Sequence, residues 1–141
     1  MKIVFDIDGT LADCSHRLHF IQQTPLDWEN FYAACPADKP IRHMVDLAGQ
    51  LAIYNQIECW TGRPERIRPQ TERWLLGYLG RSVSLLRMRA DDDHRPDYEV
   101  KADYLTQSII PPAVIFEDRN QVVDMFRERG IRVCQVAQGS Y

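Results

Sequence analysis

The chain has 141 residues, of which 45% are hydrophobic and 26% are charged, and it carries a formal net charge of −3. These values are typical of one globular domain and exclude a disordered chain. No apolar run approaches the roughly 20 residues of a membrane-spanning helix, and the acidic balance argues against a broad basic surface for long nucleic acids.

The first apolar run, Ile3-Val4-Phe5, follows Met1 almost directly and ends in two carboxylates. A run that is apolar on both faces predicts a strand buried within a parallel sheet. No signal peptide precedes it, so we expect a complete, cytoplasmic chain. Side chains at i and i+2 of a strand point the same way, so Asp6 and Asp8 should project together from its carboxyl end. Such a pair favours a divalent cation or a cationic substrate group between them.

The stretch 13–39 interrupts the pattern and predicts a small helical flap beside this site, with no large cap domain. Within it, Thr24-Pro25 resembles a helix start, with a capping hydroxyl before a proline at the first helical position. The helix that follows would carry Trp28, Phe31 and Tyr32. Their spacing fits packing inside the flap, and it also fits a platform for stacked bases.

Beyond the flap, strand-like apolar runs alternate with helical patterns. The runs of the whole chain cover 2–6, 56–60, 83–88, 113–117 and 131–136, and apolar stripes at helical spacing cover 41–54, 71–79 and 122–126. This alternation predicts an α/β fold, a three-layer Rossmann-like sandwich around a central parallel sheet, with residues 1–141 as a single domain. The four cysteines have no C-x-x-C pair, which predicts free thiols rather than disulfides or a zinc site.

Three further segments place reactive side chains at the same edge of the predicted sheet. Thr61-Gly62-Arg63 follows one strand and Glu117-Asp118 follows another. Lys101 lies near the start of a helix, after the acidic loop 91–97. Because the carboxyl ends of parallel strands open on one edge, these side chains should converge with the two carboxylates of the first strand.

This combination of groups suits phosphoryl transfer. Carboxylates bind a hard divalent ion such as Mg²⁺, which usually contacts a few protein oxygens and the substrate phosphate. A hydroxyl, backbone N–H groups and a lysine can bind the phosphoryl oxygens as negative charge spreads over them. One carboxylate is then available as a covalent nucleophile and a second as an acid and base.

In these segments the chain resembles the haloacid dehalogenase-like phosphohydrolases. Asp6-x-Asp8-Gly9-Thr10 matches their first motif, Thr61-Gly62-Arg63 the second, Lys101 the third and Glu117-Asp118 the fourth, in the same order. The resemblance implies a Mg²⁺-dependent phosphatase with a Rossmann-like fold. It also implies that Asp6 forms an aspartyl-phosphate, and that Asp8 protonates the leaving hydroxyl and then activates water.

Narrower signals resemble the 3′-phosphatase domain of phage polynucleotide kinase–phosphatase. They are Arg17, the segment T-G-R-P-E, the run D-H-R-P-D before Lys101 and the ending E-D-R-x-x-V-V-x-M-F-R. This likeness implies removal of 3′-phosphates from polynucleotide ends or nucleotides. It assigns metal binding to Asp6, Asp118 and the carbonyl of Asp8, with Glu117 assisting through water. It also assigns phosphate binding to Thr61 and Lys101, substrate contacts to Arg17, Gly62 and Arg63, and the orientation of Lys101 or its neighbours to Asp97.

The sequence departs from these families in two ways. Glu117 stands where paired aspartates are common, which leaves its distance to the metal open. No G-x-x-x-x-G-K-[S/T] loop occurs, so no ATP-dependent kinase activity is expected from these residues. Two other functions remain open: a 5′-nucleotidase acting on (deoxy)nucleoside monophosphates, and a non-catalytic module that binds nucleic-acid ends. Lys101 could instead be a solvated residue at the start of a helix. Arg17 and Arg63 could have structural roles rather than contacts with a substrate.

Overall fold

In the computed structural model, which describes residues 1–139, five parallel strands form a central sheet covered by helices on both faces. The strands of the central sheet are β1 (Lys2–Phe5), β4 (Gln56–Pro64), β5 (Val83–Arg89), β6 (Val114–Arg119) and β7 (Val133–Gly139). Two short strands, β2 (Ala12–Asp13) and β3 (Lys39–Pro40), form a separate pair. The helices are α1 (His19–Gln22), α2 (Trp28–Ala33), α3 (Arg42–Leu51), α4 (Arg68–Leu79), α5 (Asp97–Thr106) and α6 (Asn120–Glu128). The central order is β5-β4-β1-β6-β7, which confirms the predicted three-layer α/β class.

The middle strand β1 is buried on both faces, as its apolar run predicted. Ile3 and Phe5 pack with α3 and α4 on one side of the sheet. Val4 points to the opposite side and packs with α5 and α6. Successive side chains of a strand alternate between faces, so two separate cores hold this strand in position. The residues that follow β1 therefore start from a rigid, central place in the sheet.

The strands that carry the second and fourth motifs run further than the apolar pattern predicted, as does β7, which ends at Gly139. β4 continues to Pro64, which pairs with Arg89 of β5, and β6 continues to Arg119, which pairs with Gly139 of β7. Register shifts accompany both extensions. The second motif and Asp118 therefore lie where the strand pairing is irregular, with paired residues before and after them.

The flap predicted at 13–39 is present, and β2 and β3 pair in antiparallel fashion at its base. Its helix α2 begins later than predicted, and the assignment of a cap at Thr24-Pro25 was wrong. Asp27 is the N-cap, because its carboxylate accepts a hydrogen bond of 3.0 Å from the backbone N–H of Asn30. Aspartate at this position satisfies an N–H group that the helix itself leaves unpaired.

The remaining composition-based expectations concern thiols and membranes. All four cysteines are free, with Cys134 exposed and the other three buried. Among residues 1–139, no helix has the length and apolar character needed to cross a membrane.

Candidate active site

The carboxyl ends of β1 and β6 bring three acidic residues together. Asp6 extends β1, because its N–H donates to the carbonyl of Phe116 in β6 at 3.0 Å. Glu117 and Asp118 lie within β6, and one carboxylate oxygen from each lies within 4.8 Å of one from Asp6. All three residues are buried. The structure thus gathers three of the four residues predicted to bind metal, while the side chain of Asp8 has other partners.

Lys101 lies in the middle of the acidic residues. Its Nζ donates to Asp6 Oδ1 at 2.6 Å and to Glu117 Oε2 at 2.7 Å, and it lies 3.1 Å from Asp97 Oδ2. Only 1% of the residue is exposed, so it is not a solvated helix-start residue. Burial alone would lower the pKa of Lys101, but the charges of the three carboxylates raise it well above its usual value. The ammonium group therefore stays charged at any working pH.

The positive charge of Lys101 does not fully offset the repulsion between the carboxylates of the acidic cluster, Asp6, Glu117 and Asp118. Burial, together with the charge of Glu117, raises the pKa of Asp6 well above its usual value. Burial also raises the pKa of Glu117 to about 7, with Lys101 opposing the shift and Asp97 and Asp118 adding to it. Carboxylate oxygens in this arrangement suit a hard divalent cation such as Mg²⁺, whose charge would offset their repulsion.

Asp8 turns away from this cluster because of the backbone that follows it. Gly9 adopts a φ of 82°, which glycine accepts without strain, and its N–H donates to the carbonyl of Ala12 at 2.9 Å. The chain therefore reverses directly after Asp8. The Asp8 carboxylate accepts hydrogen bonds from Arg17 Nη2 at 2.6 Å and from Arg63 Nε at 3.1 Å. Burial alone would raise the pKa of Asp8, but Arg63 and Arg17 outweigh it and lower the pKa to about 2.

A buried aspartate at the end of the flap, Asp38, completes this group, and no motif predicted it. Its carboxylate accepts two hydrogen bonds of 2.7 Å from Arg17 and one of 2.8 Å from Arg63 Nη2. Trp74 of α4 donates to the carbonyl of Asp38 at 2.8 Å. Nothing in the local sequence distinguishes this residue from other acidic residues, because its role depends on contacts with distant parts of the chain.

Arg17 and Arg63 both have carboxylate partners within the protein. Both are fully buried, and neither lines the cavity above Asp6 and Asp8. Each guanidinium group bridges Asp8 and Asp38. These contacts fit the structural role that the sequence left open, and direct contact with a substrate stays a prediction for both arginines.

Gly62 lies against Asp97. A Cβ atom at position 62 would overlap Asp97 Oδ1, so only glycine fits here without moving that carboxylate. The carbonyl of Gly62 accepts a hydrogen bond of 2.9 Å from Arg89 Nε, and the Nη2 of the same arginine lies 3.4 Å from Asp97 Oδ1. Arg89 is a second site residue that the motifs did not reveal. The neighbouring Thr61 is buried, and its Oγ1 accepts a hydrogen bond of 3.2 Å from the N–H of Arg63.

Gly139 lies against Asp118 in the same way that Gly62 lies against Asp97. A Cβ atom at Gly139 would overlap Asp118 Oδ2 and approach the Cα of Arg119 to 3.2 Å. The last residue of β7 therefore has to be small for Asp118 to keep its position. Sequence inspection missed this residue, since a glycine after the final strand reads as an ordinary strand end.

A cavity of about 530 Å³ opens above these residues. Asp6, Asp8 and Thr61 contribute to its surface. The flap contributes Trp28, Phe31 and Tyr32, and the loop before α5 contributes Arg95. Arg66, just after β4, and Arg119, at the end of β6, complete the basic part of the lining. The cavity therefore exposes the carboxylates of Asp6 and Asp8 to one small ligand, with aromatic and basic groups around them.

Comparison with known proteins agrees with this geometry. The family model of the polynucleotide kinase PNKP phosphatase domain matches residues 1–141. Two solved structures of the Pnkp1/Rnl/Hen1 complex, one of them described as an RNA repair complex, superpose with TM-scores of 0.81 and 0.80 at 26% and 28% sequence identity. They cover 99% of this chain, which spans only 43% and 47% of those chains.

A haloacid dehalogenase-like hydrolase from Streptococcus pneumoniae superposes with a TM-score of 0.71 at 15% identity, over 98% of this chain and 85% of that one. This likeness supports the fold alone. The family match, together with the four motifs at one sheet edge, identifies the activity class as that of a phosphatase. The chain belongs to the polynucleotide kinase phosphatase-domain family, within the haloacid dehalogenase-like superfamily.

Proposed function

We propose that this protein is a Mg²⁺-dependent phosphomonoesterase that removes 3′-phosphates from polynucleotide ends or nucleotides through an aspartyl-phosphate on Asp6. The observation that carries the proposal is the position of Asp6, buried against Lys101 at 2.6 Å and lining the same cavity as Asp8. The match to the phosphatase domain of polynucleotide kinase supports the choice of a phosphorylated nucleic-acid end as substrate.

In this proposal Asp6 attacks the phosphorus atom. The bond between phosphorus and the 3′-oxygen breaks as the bond to the carboxylate forms. Burial raises the pKa of Asp6 and so disfavours the nucleophilic carboxylate, whereas the charge of Lys101, 2.6 Å away, favours it. Lys101, the Thr61 hydroxyl and nearby backbone N–H groups supply positive charge and hydrogen bonds for the phosphoryl oxygens.

Asp8 transfers the protons. It donates a proton to the departing 3′-oxygen and then takes one from the water that hydrolyses the aspartyl-phosphate. The hydrogen bonds from Arg17 and Arg63 favour the ionised form of Asp8, which is the form that the second, water-activating step requires. Both arginines therefore act on the reaction through Asp8, whatever contact they make with the substrate.

The residues that would hold Mg²⁺ are Asp6 and Asp118, with the carbonyl of Asp8 and, through water, Glu117. The clustered and strongly desolvated carboxylates fit this ion. A bound Mg²⁺ would offset their charge and that of the substrate phosphate, which otherwise repel each other.

A 5′-nucleotidase is the second candidate, because a cavity of about 530 Å³ is large enough for a nucleoside monophosphate. Relative kcat/KM on 3′- and 5′-phosphorylated nucleotides separates the two. A module that only binds nucleic-acid ends is the third, and the convergence of Asp6, Asp8 and Lys101 argues against it. We also propose that the residues present here catalyse no ATP-dependent phosphorylation.

The test is phosphate release from a 3′-phosphorylated oligonucleotide by the purified protein with Mg²⁺ or EDTA. Asp6→Asn is the matched control, since it keeps the shape of the side chain. We expect release with Mg²⁺, none with EDTA and none from the control. Release no greater than that of Asp6→Asn would contradict the proposal, and a preference for 5′-phosphates would favour the nucleotidase.

A further inference from the structure

The flap helix α2 brings three aromatic rings, Trp28, Phe31 and Tyr32, to the cavity that contains Asp6 and Asp8. Two of these rings are engaged by the protein itself. Phe31 is buried, and its ring lies 4.1 Å from the guanidinium carbon of Arg17. Its carbonyl also accepts a hydrogen bond of 3.2 Å from Arg17. Phe31 thus supports the arginine behind Asp8.

Tyr32 is the second ring with protein partners. Its hydroxyl donates to the carbonyl of Gly62 at 3.5 Å, and the guanidinium carbon of Arg66 lies 5.9 Å from its ring. Burial raises the pKa of Tyr32 to about 12, so the hydroxyl stays protonated and able to donate. This ring therefore links the flap to the second motif.

Trp28 differs from both because 40% of its surface is exposed. Phe31 contacts it edge-on at 5.7 Å between ring centroids, and Tyr32 lies nearly parallel to it at 5.8 Å. These contacts restrict the indole ring without covering it. A large aromatic surface that is fixed in position and left open at a cavity suits a flat apolar ligand.

Basic side chains accompany this exposed ring. Arg66 and Arg95 line the same cavity and are each more than one-third exposed. Their ion pairs with Glu29 and Asp93 lie at the surface, where such pairs exchange readily with other anions. An oligonucleotide end has a flat base, a terminal phosphate and further phosphates along the backbone. These groups match the exposed ring, the proposed phosphate site and the basic side chains of the cavity.

We propose that Trp28 is a stacking platform for the base of the nucleoside that carries the phosphate, with Arg66 and Arg95 placed for the preceding phosphodiester. This inference rests on the proposed function and narrows it to ends whose last base presents a free face, as the unpaired terminal base of a single strand does. A simple phosphate ester has neither a base for Trp28 nor a second phosphate for Arg66 and Arg95, so it would use neither contact.

The test compares a single-stranded 3′-phosphorylated oligonucleotide with the same strand ending in an abasic 3′-phosphate. Trp28→Ala should reduce the ratio of the two kcat/KM values on the order of 10-fold, since base–aromatic stacking has that strength. Trp28→Phe should retain most of the ratio. Tyr54→Ala is the matched control, because Tyr54 is 88% exposed and does not line the cavity.

A variant that folds poorly loses activity on both substrates and leaves their ratio unaltered, so the ratio separates stacking from stability. An unaltered ratio in a folded Trp28→Ala protein would overturn the inference. A second readout does not need turnover. Trp60 and Trp74 are buried, so fluorescence quenching by an added oligonucleotide in the Asp6→Asn variant reports mainly on Trp28.

Quenching should be strong with the base-bearing end and weak with the abasic end. If the unmodified protein releases no 3′-phosphate, the proposed function fails, and this fluorescence comparison alone decides the stacking proposal. Equal quenching by the two ends would refute it.

Discussion

Asp38 and Arg17 form a two-point contact, in which the Nε and Nη2 atoms of the arginine each donate to the Asp38 carboxylate at 2.7 Å. The same Nη2 atom donates to Asp8 at 2.6 Å. The end of the flap is therefore connected to the proposed acid–base residue through one buried guanidinium group. Because Arg63 joins the same two carboxylates, a change at Asp38 affects both arginines at once.

Replacing Asp38 should weaken both the fold and the reaction. Asp38→Ala removes one of the two carboxylates that both buried guanidinium groups share, and a buried ion pair that loses one partner costs about 3–5 kcal/mol of unfolding free energy. Thermal unfolding measures this loss. Asp46→Ala, on the exposed side of α3, should unfold within a degree or two of the unmodified protein.

A positioning role for Asp38 predicts more than lost stability. Asp38→Asn should lower kcat on a 3′-phosphorylated oligonucleotide more than on p-nitrophenyl phosphate, because an alkyl leaving group needs a well-placed acid and a nitrophenolate does not. The two rates are compared at a temperature where the variant is folded. Equal losses on both esters would mean that Asp38 only supports the fold.

Asp6→Asn and Asp8→Asn should each abolish most of the turnover of a 3′-phosphorylated oligonucleotide. The first variant loses the nucleophile, and the second loses proton transfer, which contributes roughly 10²–10⁴-fold. Because the two groups act as a unit, the double variant should be little slower than Asp6→Asn alone. Near-normal kcat in either single variant would rule out the covalent mechanism.

Mg²⁺ should stabilise the folded protein, because the acidic cluster binds it only when Asp6 and Asp118 are brought together. A ligand at about 100 times its dissociation constant adds about 2.7 kcal/mol to the unfolding free energy. Thermal scans with Mg²⁺ and with EDTA should differ for the unmodified protein and agree for Asp118→Asn. Asp124→Asn, on the exposed side of α6, should keep the full response. A response retained by Asp118→Asn would place the ion elsewhere.

Gly139→Ala should raise the Mg²⁺ concentration needed for half-maximal activity. The added methyl group would overlap Asp118 Oδ2, so the carboxylate has to move. Displacing the support of a metal ligand typically weakens binding 10- to 100-fold, and about 10-fold is expected here. Gly49→Ala is the control, since nothing lies within 4 Å of its Cβ position and alanine favours the α3 helix.

Asp97 should contribute to stability in a pH-dependent way. Burial alone would raise its pKa, but Lys101 and Arg119 hold it below the usual value of 3.8. A carboxyl group with a lowered folded-state pKa stabilises the fold above its unfolded-state pKa, and this contribution disappears as the pH falls below it. Asp97→Asn should therefore unfold earlier than the unmodified protein at pH 6–7, with the difference shrinking below about pH 4. A difference independent of pH would assign the loss to packing at Gly62.

Much of the fold followed from local sequence. The apolar run before Asp6 predicted a strand buried on both faces, and alternating patterns predicted the order of strands and helices. The position of Asp6, Lys101 and Glu117 at one sheet edge also followed, because parallel strands share the direction of their carboxyl ends. Each of these inferences depends on short-range periodicity and on a general rule of topology.

Contacts between distant segments could not be predicted from local sequence patterns. Asp38 and Gly139 carry no local pattern, and their importance arises only when the flap or the last strand meets another motif. The start of α2 was misplaced because both Thr24 and Asp27 are acceptable caps, and the structure uses the second. For Arg17, the sequence indicated a site residue, but only the three-dimensional contacts identify Asp8 as its partner.

The two-residue pairing of β2 with β3 has a practical consequence for changing what this enzyme recognises. The chain leaves the sandwich at Ala12 and returns beside it at Pro40, so the segment between them has its two ends at one point. Such an insertion tolerates exchange for one of different length, since neither end has to move to accommodate it. Grafted versions that retain the contacts of Arg17 and Asp38 offer a route to new selectivity with an unaltered reaction centre.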